Sequence, residues 1–169
     1  MGKLVQVATN TVTSAVASVT LTGIDSDDVY MVAYNNWNAV NDNVTGLIRV
    51  TQSGIANTTA NYDIATKNLD ASTTFGNNAV TNRTYFDVTN SGTATGEIAN
   101  AILYLYNFNS TTEYPFLTIE STLRNSSAKL KGHQGGMVFT GAGTAKDGVQ
   151  FFMSSGNIAS GTFTLYKVV

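Results

Sequence analysis

The residues able to carry acid–base or nucleophilic chemistry are few and lie far apart. The chain has one histidine and no cysteine, which excludes thiol nucleophiles, disulfides and cysteine-ligated zinc. His133 lies in "KLKGHQGGM", where neighbouring glycines predict a loop or bulge before a strand. A general base needs a nucleophile and an orienting group, and the sequence places neither beside it. We therefore interpret His133 as a loop histidine.

The run "GIDSDDVY" brings three carboxylates close together, those of Asp25, Asp27 and Asp28. Their spacing is similar to the start of a calcium-binding loop, but the glycine and the distal bidentate glutamate of that loop are missing. Aspartate side chains also accept hydrogen bonds from backbone N–H groups where a turn enters a strand. We favour the turn over calcium and expect no metal site.

Neither a nucleotide-binding motif nor a catalytic carboxylate pair stands out in the sequence. The glycine-rich segment "GAGTAKDG" matches neither the phosphate-loop nor the dinucleotide-binding spacing, and we expect a loop between strands. The acidic residues are scattered rather than paired as acid and base. Among them are Asp87, Glu97, Glu113, Glu120 and Asp147. The sequence therefore predicts a protein that is not an enzyme and that has no cofactor.

Aromatic side chains are the remaining candidates for binding. Trp37 lies in "YNNWNAVND", directly after a predicted strand that ends at Tyr34. Exposed tyrosine and tryptophan rings can stack on sugars, and the same rings can equally fill the end of a hydrophobic core. Trp37 and Tyr34 are therefore the candidate ligand contacts, with core packing as the alternative for Trp37.

The elements that would position these side chains are strands. Apolar and polar residues alternate with a period of two in short runs divided by Gly, Asn, Asp and Ser, as in an antiparallel β-sandwich. These runs cover residues 18–22, 29–34, 47–51, 62–65, 85–88, 102–108, 116–119, 137–139, 149–153 and 162–168. We predict an all-β fold with less than about a fifth helix, formed by a single domain over residues 1–169. The last run predicts a closing strand that is part of the core.

Three segments show weak helical patterns, and one long segment resembles a loop. The helical candidates are "NTVTSAVASV", "ANYDIATKNLDASTTFG" and "TLRNSSAKLKG", although threonine and valine are poor helix formers. Residues 57–82 lack a clear pattern apart from the short run at 62–65. Because long loops in compact domains often carry function, we expect a surface or intersubunit role for this segment.

Composition narrows the choice of partners. Only 12% of the residues are charged and the net charge is −2, so the phosphate contacts that nucleic-acid binding requires are not supplied. No apolar run approaches the roughly 18 residues of a membrane span, and "MGKLVQ" does not match a secretion signal. We expect no nucleic-acid or membrane partner, and synthesis in the cytoplasm.

Three stretches together carry a family resemblance. They are "VTLTGIDSDDVYMVAY", "EIANAILYLYNFNSTTEYPFLT" and "GVQFFMSSGNIASGTFTLYKVV", separated by segments rich in Ser, Thr and Asn. The chain resembles virion structural proteins of tailed bacteriophages, including cyanophages and other marine phages, and the closing "SSGNIASGTFTLY" is the most specific part. The stretch from 45 to 96 is similar only in character.

This resemblance implies a jelly-roll-like β-sandwich built into the virion, as a capsid decoration or a tail-associated protein. It implies other virion proteins as partners and no catalytic residues. A low charge fits contact surfaces, whose cores are depleted of charged residues, and we expect a homo-oligomer. The alternative is a host-receptor or glycan-binding module of the phage adsorption apparatus.

Overall fold

A computed structural model describes residues 2–72 and 75–169. These residues form β-strands connected by turns and loops, with no helix among them. The strands are β1 (Leu4–Val12), β2 (Ser18–Thr22), β3 (Tyr30–Ala39), β4 (Val44–Gln52), β5 (Ile55–Ala56), β6 (Tyr62–Asp70), β7 (Gly76–Arg83), β8 (Phe86–Ser91), β9 (Ala99–Tyr106), β10 (Phe116–Arg124), β11 (Leu130–Phe139), β12 (Gly148–Met153) and β13 (Ile158–Val168).

The strands form two antiparallel sheets. The large sheet has eight strands in the order β1-β13-β3-β9-β10-β11-β6-β7. The small sheet has the order β2-β12-β4-β5, and β8 also pairs with β4. The chain passes repeatedly from one sheet to the other, and only short stretches such as β9, β10 and β11 pair consecutively. The predicted all-β, jelly-roll-like antiparallel sandwich is confirmed.

The hydrophobic core lies between the sheets because alternate side chains of each strand point to the same side. In β9, for example, Leu103 and Leu105 are each only 1% exposed, whereas Ile102 and Tyr104 point away from the core. Each of the ten predicted runs overlaps a strand, and the run at 18–22 has the same bounds as β2. Hydrophobic periodicity therefore located the strands that have one buried face.

The closing strand β13 lies inside the large sheet, between β1 and β3. Phe163 and Leu165 are fully buried in the core. Thr164 points to the opposite face, where its hydroxyl lies 3.0 Å from the Thr9 hydroxyl of β1. The predicted register of the closing strand is confirmed.

The three helical candidates are wrong. "NTVTSAVASV" spans the end of β1 and the start of β2, and "ANYDIATKNLDASTTFG" contains β6. "TLRNSSAKLKG" contains the turn between β10 and β11. These segments contain several β-branched or turn-forming residues, and pairing with neighbouring strands outweighs a weak helical spacing.

The loop predicted for residues 57–82 is also wrong over most of its length. This segment forms the hairpin of β6 and β7, which ends the large sheet at one edge. An edge strand such as β7 has little buried surface, so its sequence does not need alternating apolar residues. Residues 73 and 74 belong to the same prediction and lie outside the described residues.

Candidate interaction surface

The large sheet has one face against the core and a second face that points away from the small sheet; we call the second the outer face. Its central residues are Ile102 and Tyr104 of β9, Phe116, Thr118 and Glu120 of β10, Gln134, Gly136 and Val138 of β11, Asp63, Ala65 and Lys67 of β6, and Ala79 of β7. Exposure of Ile102 is 44%, of Tyr104 40% and of Phe116 45%. Tyr104 lies between the other two on this face, next to Ile102 on β9 and diagonally across from Phe116 on β10.

A groove crosses the outer face beside Phe116. It has a volume of about 650 Å³ and runs over β11 and β6 to β7. Three of its outward-pointing residues are small, namely Gly136, Ala65 and Ala79. Small side chains between larger neighbours create a depression with an apolar floor, and such a depression can receive an apolar side chain.

Charged groups on the outer face are few and partly engaged. Asp63 accepts a hydrogen bond of 2.8 Å from the Asn82 backbone N–H, which holds its carboxylate towards β7. Glu120 accepts a hydrogen bond of 3.3 Å from the Gln134 side chain. Lys67 is exposed, with its Nζ 5.2 Å from the centre of the Phe75 ring. The outer face thus combines an apolar centre with isolated charges of both signs.

Tyr34 and Trp37, the candidate ligand contacts, lie in the core and not at the surface. Both side chains are 0% exposed. Their ring centres are 5.0 Å apart, and the Trp37 ring also packs edge-on against Phe151 at 5.7 Å and Phe163 at 5.4 Å. A sugar has no access to either ring, so the prediction that they contact a ligand is wrong. The alternative for Trp37, packing in the core, is confirmed.

The prediction that His133 lies in a loop is wrong. His133 lies within β11, and the glycines around it are part of the same strand. Its Nδ1 is 3.3 Å from the Val88 carbonyl oxygen, which accepts a hydrogen bond from the Nδ1–H tautomer. Burial lowers the pKa of His133, and this effect opposes the smaller one of the Val88 carbonyl. The His133 ring therefore lies between the sheets, in contact with the Val88 carbonyl of β8.

Two of the three aspartates of "GIDSDDVY" lie beside a lysine of β13. Lys167 Nζ lies 2.7 Å from Asp28 and 3.9 Å from Asp25. The Asp25 carboxylate also accepts a hydrogen bond of 2.8 Å from Tyr30, and this bond is the main cause of its lowered pKa. Hydrogen bonds from Lys167 and Ser26 lower the pKa of Asp28. The cluster ties the turn to the closing strand. Asp25 and Asp28 accept these hydrogen bonds from side chains, whereas the turn interpretation expected backbone N–H donors.

The variant Asp28→Asn is expected to lose less stability on acidification than the wild type. Because the folded-state pKa of Asp28 is lowered, its contribution is present above the unfolded pKa of about 3.9 and is lost as pH falls through the folded pKa. The melting temperature of the wild type should drop more than that of the variant between about pH 5 and about pH 2. Asp27→Asn, at an exposed neighbouring carboxylate, is the control. Equal drops for wild type and Asp28→Asn would contradict the expectation.

Lys146 is a residue that sequence reasoning missed. It lies in the loop between β11 and β12, the predicted loop "GAGTAKDG", and is 2% exposed. Its Nζ donates to the carbonyl and to the hydroxyl of Thr144, and it lies 5.3 Å from the centre of the Phe139 ring. Burial lowers the pKa of Lys146. Its contacts are neutral groups of its own loop and of the core, which indicates a structural role.

No cluster of three His, Cys, Asp or Glu side chains suited to a metal ion occurs in the described part of the chain. Within residues 2–72 and 75–169, no helix is long and apolar enough to cross a membrane.

Comparison with known protein families, with curated proteins and with solved structures found no match.

Proposed function

We propose that the chain is a structural component of a tailed-bacteriophage virion, either a capsid decoration protein or a tail-associated protein, that acts through protein–protein contacts. The observation that carries the proposal is the apolar outer face, where Ile102, Tyr104 and Phe116 are each at least 40% exposed. Exposed apolar patches with a polar border mark interaction sites on soluble proteins. The resemblance of the closing segment to phage virion proteins supplies the kind of assembly.

The charge distribution supports the same proposal. Interface centres are depleted of charged residues and enriched in aromatic ones, and the chain has 12% charged residues overall. Near the centre of the outer face, Asp63 is held by a backbone hydrogen bond and Glu120 by a side-chain one. Few charged side chains would therefore be desolvated when a partner covers this face. The proposed role includes no catalytic step.

The proposal is tested on particles of the phage that carries this gene. After gradient purification and a high-salt wash, mass spectrometry should find this chain in a fixed ratio to the major capsid or tail proteins. A non-structural protein of the same phage serves as the control for carry-over. If the chain leaves with that control protein in the wash, it is not a virion component. A cryo-electron microscopy map would then assign a retained chain to the head or the tail.

A second candidate is a glycan-binding module of the adsorption apparatus, favoured by one observation. Tyr104 is 40% exposed beside the polar side chains of Glu120 and Gln134, with which it lines a small depression. An exposed aromatic face next to hydrogen-bonding groups is a common arrangement for sugar recognition. A glycan array should then show binding that Tyr104→Ala abolishes, and a blank array would remove this candidate.

A further inference from the structure

The strand register arranges the outer face in rows that change from large to small side chains. One row runs Tyr104, Thr118, Gly136, Ala65 and Ala79 across five neighbouring strands. The aromatic side chain stands at one end and the alanines stand at the other. Gly136 of β11 is the midpoint of the row.

A neighbouring row carries two opposite charges at equal distances from the same strand. Glu120 of β10 pairs with Gln134 of β11, and Gln134 pairs with Lys67 of β6. The acid and the base therefore lie one strand to either side of β11, at the same level. Both rows have β11 as their centre.

From this arrangement we infer that the outer face binds a second copy of this chain, related by a twofold axis that runs along β11. The inference rests on the proposed function, since it names the partner of the same surface. A twofold axis exchanges β10 of one copy with β6 of the other, so each contact occurs twice. Glu120 of each copy then faces Lys67 of the second copy. The single pair of charges becomes two complementary pairs.

The same axis places a large side chain of one copy over a small side chain of the other. Tyr104 of one copy comes to lie over Ala79 of the second copy, so a large side chain meets a small one. Phe116, which is 45% exposed on β10, lies in the row of Val138 and Asp63. The axis therefore brings its ring over Asp63 of the second copy, at the β6 side of the groove of about 650 Å³, where the Asn82 backbone N–H holds the carboxylate towards β7. Buried aromatic anchors in pockets are the usual centres of binding energy.

The area of contact is sufficient for a stable dimer. Five strands about 4.8 Å apart span about 24 Å, and eight residues at about 3.4 Å each extend about 27 Å. The shared surface is then about 650 Å² per copy, or about 1,300 Å² in total, within the range of about 1,200 to 2,000 Å² for specific interfaces.

Charge reversal tests the orientation. In sedimentation equilibrium, Glu120→Lys alone and Lys67→Glu alone should each raise the dimer dissociation constant about tenfold, because two attractive pairs become repulsive. The double variant restores the pairing and should return to within about threefold of the wild type. If the double variant is as weak as the two single changes combined, the twofold axis along β11 is excluded.

Phe116→Asp tests the face itself and should raise the dissociation constant about a hundredfold or more. The matched control is Ile55→Asp, at an apolar residue of β5 in the small sheet that is 73% exposed. The control should leave the dimer unchanged. Circular dichroism of both variants verifies folding before the comparison. A dimer that Ile55→Asp disrupts and Phe116→Asp leaves intact would place the interface elsewhere.

The outcome separates this inference from the proposed function. A wild-type chain that stays monomeric at its highest soluble concentration, and is nevertheless found in washed virions, overturns the twofold dimer and leaves the virion role standing. If the chain dimerises and responds to both sets of variants as expected, but is absent from washed virions, the twofold dimer stands and the virion role is overturned.

Discussion

Phe163→Ala is expected to lower the free energy of unfolding by about 3 to 5 kcal/mol, because it removes a buried ring and leaves a cavity. The Phe163 side chain is fully buried, with ring centres 4.9 Å from Phe151 and 5.4 Å from Trp37. Surrounding rings of this size cannot collapse into the space without leaving their rotamers. Urea or guanidinium denaturation measures the loss, which is large against a typical stability of about 5 to 15 kcal/mol.

Thr164→Ala is the matched control for this prediction. Thr164 precedes Leu165 in the same strand but points to the outer face, and its hydroxyl lies 3.0 Å from that of Thr9. The variant loses one hydrogen bond, which costs about 1 kcal/mol. Similar small losses for Phe163→Ala and Thr164→Ala would show that β13 is peripheral to the core.

Strands with one buried face could be predicted because their side chains repeat every two residues. In β13 the alternation of Phe163 and Leu165 with threonines determines the register without knowledge of any neighbour. The edge strands β1 and β7 were missed for the opposite reason. In β7 no residue is buried, so its sequence carries no apolar signal. The backbone pairing that forms such strands is independent of side-chain pattern.

The outer face could be anticipated only in part. In β9 the sequence separates Ile102, Tyr104 and Tyr106 from Leu103 and Leu105, but both sets are apolar. Which set faces the core depends on the partner sheet, and the structure places the leucines inside. The larger, aromatic set is outside, where it forms the candidate surface. Phe108 continues the alternation of Tyr104 and Tyr106 in the predicted run 102–108, but it follows the end of β9 and is buried.

The burial of both Tyr34 and Trp37 depends on an irregularity that the pattern does not show. Residues three apart point to opposite faces of a regular strand. In β3 the pairing with β9 shifts between these two residues, and Asn36 between them has a φ of 54°. Asparagine tolerates this left-handed conformation better than most residues. The resulting bulge turns both rings into the core, and the sequence "YNNW" alone left this open.

The second large effect is expected for Gly148→Ala, because a neighbouring strand lies very close to this glycine. Gly148 begins β12 and lies between Thr22 of β2 and Thr51 of β4. A Cβ atom at this position would collide with the carbonyl oxygen of Leu21 and lie 2.9 Å from the Cα of Thr22. Since these are backbone atoms of a paired strand, β2 must move away. We expect a loss of about 3 kcal/mol or more in the free energy of unfolding.

Gly76→Ala separates this collision from the general effect of replacing glycine. Gly76 likewise begins a strand, β7, but a Cβ there would meet only the Asn68 side chain at 3.8 Å, an ordinary contact. Its effect on unfolding should stay within about 1 kcal/mol and can be stabilising, because alanine restricts the unfolded chain. The two variants are compared by denaturant unfolding under the same conditions. If Gly148→Ala were tolerated as well as Gly76→Ala, the close contact between β12 and β2 would not be a determinant of this fold, and the small sheet would have room to separate at its β2 edge.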